Sequence, residues 1–343
     1  MIKDKTADNF SPKQRLYMID YMKAYSIMAV VLYHTQLQPD IKYLSYLLCL
    51  PAFFFTSGLF ADKQSGCLRY FKKKTLRLLI PYLIFGILSG LLWYFIGSRY
   101  GSDADTEHSF MTAVIGLIYG TSNTLVQNAP LWFLCCLMIL EWLFFAITRI
   151  SNNIYIQCIV VILVTVLGLI TGYYNIVLPW SMTAAMIMLP IYYIGYKSSN
   201  YIKNATNSLN KTKIFTVMLI SIVGIILVYT YNKDVKISMG KVNNIVLFYT
   251  GIISVVAFMF SISIITKRLN CVSVILRFIG QNTLWILCIH IPVFGLIKGI
   301  AMLLNIPLSF FATNTGSIIL WLLSFIIILP AVHITRKIIG HYT

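Results

Sequence analysis

The sequence predicts an all-α fold, a polytopic membrane helix bundle of about ten transmembrane helices forming one domain over residues 1–343. Three observations predict it. The chain is 59% hydrophobic and only 11% charged, against about 25% charged residues in a typical soluble domain. Its mean hydropathy is +0.81. Apolar stretches of roughly 20 residues, the length a helix needs to cross a hydrocarbon core of about 30 Å, recur along the whole chain.

Those stretches lie at about 17–37, 43–61, 77–97, 130–148, 154–174, 177–196, 213–231, 245–266, 281–303 and 316–335. Residues 109–119, "SFMTAVIGLIY", are too short to span and predict an interfacial or re-entrant piece inside a 98–129 loop. The N-terminal "MIKDKTADNFSPKQR" is polar, with no apolar core leading to a small-residue cleavage site. It is expected to be a cytoplasmic tail over residues 1–16 and not a signal peptide. The seven cysteines are scattered without a C-x-x-C pair, so neither a disulfide framework nor a metal site is expected.

Loop charge sets the expected orientation. With the N-terminus inside, 20 Lys and Arg fall in inside segments and five outside (Lys42, Arg99, Lys233, Lys236 and Lys241), while Lys23 and Lys298 lie within spans. This asymmetry is the positive-inside pattern, and it predicts a multi-pass protein of the cell membrane with both termini cytoplasmic. The same rule gives the net charge of +17 a membrane explanation, so no nucleic-acid partner is expected.

The first span, "LYMIDYMKAYSIMAVVLYHT", carries Asp20, Lys23 and His34. At 100° per residue Lys23 and His34 differ by about 20°, and Asp20 lies about 60° from Lys23 and about 40° from His34. All three therefore share one stripe, and Asp20 and Lys23 are at pairing distance, i and i+3. His34 sits about 16 Å further along the axis than Lys23. Two interpretations stand side by side. Asp20 and Lys23 are interfacial anchors and His34 is a packed ring, or the stripe lines a polar path, because ionisable groups inside spans face a bundle interior or a wet cavity.

Other ionisable groups extend the pattern. Lys74 and Arg77 stand one turn apart at the start of the third span, just before Pro81. They fit either a lipid-headgroup anchor or a cationic clamp for a phosphate-rich ligand. Glu141 falls mid-span in "LWFLCCLMILEWLFF" and His290 mid-span in "IGQNTLWILCIHIP". Each reads as a functional group or as a locally satisfied core residue. Trp132 fits an interfacial aromatic belt.

Five segments, in order, resemble the acyltransferase 3 family of membrane acyltransferases. They are the opening stretch with Arg15, Asp20 and K-x10-H (Lys23, His34), "LPAFFFTSGLF" at 50–60, "KTLRLLIPY" at 74–82, "LWFLCCL" at 131–137 and "IGQNTLWILCIHIP" at 279–292. The resemblance spans nearly the whole chain. It implies transfer of an acyl group, usually acetyl from acetyl-CoA, to a sugar hydroxyl of a cell-envelope glycan or its lipid-linked precursor. It maps the family's essential histidine onto His34, its basic partner onto Lys23 and its RxxR pair onto Lys74 and Arg77. Two departures are plain: Lys74 stands where arginine is commoner, and Tyr33 where glycine is common. Lysine binds phosphate without the bidentate fork, which implies a looser clamp. The hydrolase-like extension of some members is not expected.

The resulting expectations are specific. His34 and Glu141 are the candidate catalytic residues, and Lys23, Lys74, Arg77, Asp20 and His290 the candidate substrate-binding ones. Acetyl-CoA or another acyl-CoA is the donor substrate, the bilayer is the solvent, and no permanently bound cofactor is expected. A carrier of small solutes, or a polysaccharide-export helper without chemistry, is the alternative.

Overall fold

The computed structural model describes residues 17–61, 68–97, 110–205, 210–267 and 270–339. The N-terminal tail with Arg15, and the acidic part of the 98–129 loop, lie outside the described residues. Among those described, the fold is a bundle of α-helices without named strands. They are α1 (Tyr17–Tyr33), α2 (Pro39–Cys49), α3 (Pro51–Leu59), α4 (Leu68–Leu92), α5 (Phe110–Tyr119), α6 (Trp132–Ile150) and α7 (Ile154–Tyr173). Then follow α8 (Met182–Ala205), α9 (Lys211–Tyr231), α10 (Ile245–Thr266), α11 (Asn270–Gln281), α12 (Thr283–Leu303) and α13 (Asn314–Ile339).

Eight segments are long and apolar enough to cross a membrane. Each corresponds to an expected span. The remaining two expected spans are α1 and α8, whose composition is more polar. Their position explains this. Ala184–Leu189 and Tyr192 of α8, and Met22, Ala24 and Ile27 of α1, are buried among other helices. An inner helix faces protein and tolerates polar groups that a lipid-facing one does not. Outer helices carry the converse pattern, with Ile80, Ile84 and Ile87 of α4 and Ile159, Ile162 and Leu163 of α7 all exposed.

One expected span is broken. Residues 43–61 divide into α2 and α3, because Pro51 lacks an N–H and restarts the helix at its first position. The short α5 is a separate ten-residue helix, and Tyr82 on α4 donates to the Leu117 carbonyl at 2.5 Å. Asparagine side chains cap α7 and α10: Asn153 accepts from the Tyr155 N–H at 2.9 Å and Asn244 from the Leu247 N–H at 3.0 Å.

Two helix crossings require glycine. A Cβ on Gly280 would lie 1.8 Å from the Asp20 carbonyl oxygen, so the backbones of α1 and α11 touch there. A Cβ on Gly58 would lie 2.0 Å from the Tyr192 carbonyl oxygen, and one on Gly195 2.2 Å from that of Phe55. The α3–α8 crossing is therefore a reciprocal small-residue contact of the kind that brings membrane helices close.

Candidate active site

His34 follows the last residue of α1, its N–H donating to the Val30 carbonyl at 3.2 Å. Its side chain lines a cavity of about 240 Å³ together with Tyr33, Tyr46, Trp132, Phe133 and Lys236. The aromatic walls come from three elements. Tyr33 stands edge-on to the His34 ring at 5.0 Å between centroids, and Tyr46 of α2 packs on Tyr33. Trp132 and Phe133 open α6. Trp132 is only 7% exposed, so it is a wall of this cavity and not the interfacial belt residue expected from sequence. The rim comes from the short turn Ile237–Met239 between α9 and α10, anchored where the Ile237 N–H donates to the Tyr46 hydroxyl. That anchor brings Lys236 and Ser238 to the cavity.

His290 stands behind His34, 5.3 Å between ring centroids and tilted by 51°. It is fully buried. Its Nδ1 lies 3.0 Å from the Ile286 carbonyl oxygen, one turn back on α12. A carbonyl only accepts, so Nδ1 carries the proton of the neutral ring and Nε2 presents a lone pair. That Nε2 has no hydrogen-bond partner among the described residues. A buried acceptor without a partner is costly, and its ring packs against the one that lines the cavity.

Asn128 fixes the same region from another side. Its Nδ2 donates to the Cys288 carbonyl at 2.9 Å and to Ser89 Oγ on α4 at 3.0 Å. It thereby ties α4, the start of α6 and α12 together two residues before His290.

The other candidates gather elsewhere. Lys74 Nζ is 3.0 Å from Glu141 Oε1, an ion pair between α4 and α6 with side chains 23% and 16% exposed. One residue further along each helix, Trp142 Nε1 donates to Thr75 Oγ1 at 3.0 Å. Glu141 lies eight residues beyond Phe133 on α6, about 12 Å along the axis. The catalytic expectation for Glu141 thus meets a different placement: the carboxylate matches the charge of Lys74 and is remote from His34. Arg77, one turn from Lys74, is exposed. Asp20 is 4% exposed and accepts from Gln281 Nε2 at 3.3 Å, while Lys23 Nζ lies 4.8 Å from the centre of the Phe60 ring. The stripe of α1 therefore does not open as one continuous cavity: its Asp20 end is packed on α11, and its His34 end opens to the cavity.

The profile of a family described as an acyltransferase domain matches residues 16–335. The chain belongs to the acyltransferase 3 family. No curated protein and no solved structure matches it. As an acyltransferase 3 member, the protein builds its histidine pair from two of the resembling segments: the first supplies His34 and the last His290. The "LWFL" segment supplies cavity wall, and the glycines of "TSGLF" and "IGQN" supply the two tight crossings. Sequence reasoning missed Asn128, Gln281 and the Lys236 turn. The signal for Asn128 was the pair Gln127–Asn128 directly before an apolar run, which resembles an ordinary helix start.

Proposed function

We propose that this protein is a membrane O-acyltransferase that moves an acetyl group from acetyl-CoA to a sugar hydroxyl of an envelope glycan or its lipid-linked precursor. The observation that carries the reading is the histidine pair, with His34 on the cavity wall and an unpartnered His290 Nε2 behind it. Family membership supports acyl transfer.

In this mechanism the donor comes from the cytoplasmic side. Its phosphates meet Arg77, with Lys74 held in place by Glu141. From Lys74 to Ser89 is 15 residues, about 22 Å along α4, a separation of the order of an extended phosphopantetheine arm. Ser89 is hydrogen-bonded to Asn128 beside the His290 turn, so an acyl thioester laid along α4 arrives near the histidines. The acceptor hydroxyl occupies the His34 cavity, whose aromatic walls suit the apolar faces of a sugar ring.

His34 takes the hydroxyl proton as the oxygen attacks the thioester carbonyl, and a turn of the His34 ring then lets its second nitrogen donate to the otherwise unpartnered His290 Nε2. The new O–C bond forms, the C–S bond breaks, and His34 returns the proton to the departing thiolate. The products are the acylated sugar and free coenzyme A. The test is acetylation of envelope glycans, read by mass spectrometry, in cells lacking the native protein and complemented with wild type or His34→Gln at matched levels. Loss of acetylation in the variant is expected. Wild-type acetylation by His34→Gln overturns the mechanism.

A further inference from the structure

A second cavity, of about 90 Å³, lies between α4 and α5. Its sides are Gly86, Gly90 and Leu91 of α4 and Phe110, Val114 and Leu117 of α5. Leu91 and Phe110 are exposed on the apolar outer surface, so the cavity opens sideways, where hydrocarbon surrounds the bundle. Two glycines shape it differently. A Cβ on Gly86 would lie 2.2 Å from Leu117 Cδ1, so that glycine lets α5 approach. A Cβ on Gly90 would meet nothing within 4 Å, so that one leaves open space.

Two polar residues interrupt the apolar lining of this cavity. Gln127 and Asn128 line it, and each carries a fully buried amide atom without a partner among the described residues: Gln127 Nε2, a donor, and Asn128 Oδ1, an acceptor. The Asn128 orientation is fixed by chemistry, because the atom facing the Cys288 carbonyl must be the NH₂. Asn128 is 2% exposed. One donor and one acceptor on the residues of a hydrocarbon-lined slot match a ligand with a single chain and, at its end, an oxygen acceptor beside a hydroxyl. The next two residues, Ala129 and Pro130, line the His34 cavity. A ligand head at Asn128 is therefore one turn of chain from the reacting site.

We propose that this lateral cavity binds the hydrocarbon anchor of a lipid-linked sugar, with Gln127 and Asn128 reading the junction between chain and sugar. The inference rests on the acceptor being a sugar hydroxyl, as proposed above. The acyl donor is the poorer occupant, because a coenzyme A head is charged and the slot opens to lipid.

The experiment is photolabelling of the full-length protein in nanodiscs with a dodecyl β-glucoside carrying a diazirine at the chain end, without any acyl donor. Label is expected on peptides spanning 86–91 and 110–117. Gly90→Leu puts bulk into the slot from a position where a Cβ meets nothing within 4 Å, and is expected to cut that label at least tenfold. Gly299→Leu, at an exposed glycine whose Cβ also meets nothing within 4 Å, leaves it unchanged. Gln127→Leu, close in size and lacking the donor, weakens labelling several-fold. Equal labelling of Gly90→Leu and wild type, or label spread evenly over the outer faces of α7 and α9, overturns the site. Because no donor is present, absent label with active acetylation sinks this site alone, and specific label in a protein without transferase activity sinks the transferase mechanism alone.

Discussion

His290 backs His34 at 5.3 Å between ring centroids, with its own Nδ1 engaged by the Ile286 carbonyl. Two imidazoles in contact, one facing a cavity and one sealed behind it, differ in what their loss removes. The outer ring lines the cavity proposed to take the acceptor. In the proposed mechanism the inner ring orients the outer one.

His34→Gln keeps a hydrogen-bonding side chain and removes the base, so kcat should fall by about 10²–10⁴-fold, the range of general acid–base contributions. Acetyl-CoA affinity, measured by calorimetry in detergent, should be unchanged. His290→Gln should lower kcat less, about 10–100-fold, with the donor KM unchanged. Equal turnover for wild type and His290→Gln would leave His290 as packing only.

Lys74 and Glu141 form a partly buried pair. Glu141→Gln removes the carboxylate 3.0 Å from the ammonium and should cost about 1–2 kcal/mol, less than a fully buried pair because both side chains retain some exposure. Replacing both with Met should recover most of that stability while weakening acetyl-CoA binding. Thermal unfolding of the two single variants and the double variant gives the coupling. A double variant as unstable as the sum of the singles would mean that the ion pair does not link α4 to α6.

Arg77 is exposed and Lys74 is engaged, so the two basic residues should differ. Arg77→Gln should weaken acetyl-CoA binding more than Lys74→Gln, because guanidinium pairs with phosphate bidentately. Calorimetric affinities decide it: unchanged binding in Arg77→Gln would assign that residue to the lipid headgroups.

How much of this was legible in the sequence follows from what each residue must face. The outer helices were legible because lipid demands apolar groups all round, and Ile159, Ile162 and Leu163 say so at once. The break at Leu50–Pro51 was not, because hydropathy averages across it. His34 and His290 were both identifiable as ionisable groups in apolar runs, and the resemblance named them. Their contact was not readable, since they are 256 positions apart and helix periodicity gives a face without saying which faces meet. The same gap separated Lys74 from Glu141: each was singled out, and each was assigned a ligand or chemical role where the fold supplies the other as partner. Asn128 escaped because its work is done between three helices.

The crossing at Gly280 carries its own test. The Asp20 carbonyl oxygen occupies the place of a side chain, so Gly280→Ala must push α1 and α11 apart and strain the Asp20–Gln281 hydrogen bond. A drop in thermal stability is expected, well beyond that of Gly299→Ala, where a methyl group meets nothing within 4 Å. Equal melting temperatures for the two variants would remove the close α1–α11 contact from the account of the fold.

Orientation is the last step, because the mechanism needs the donor at the Lys74 end and the cavity turn of Lys236 at the opposite end. The positive-inside rule predicts Lys74 and Arg77 inside and Lys233, Lys236 and Lys241 outside. Reporter fusions after residues 66, 205 and 343 should therefore report a cytoplasmic location, and fusions after 110 and 238 an external one. The fusion after 238 matters most, since that residue, Ser238, lines the His34 cavity. An external signal there puts the acceptor side of the reaction at the outer face, across the bundle from the donor phosphates. A cytoplasmic signal at 238 would bring both substrates to one side, and a donor arm crossing along α4 would then have no purpose.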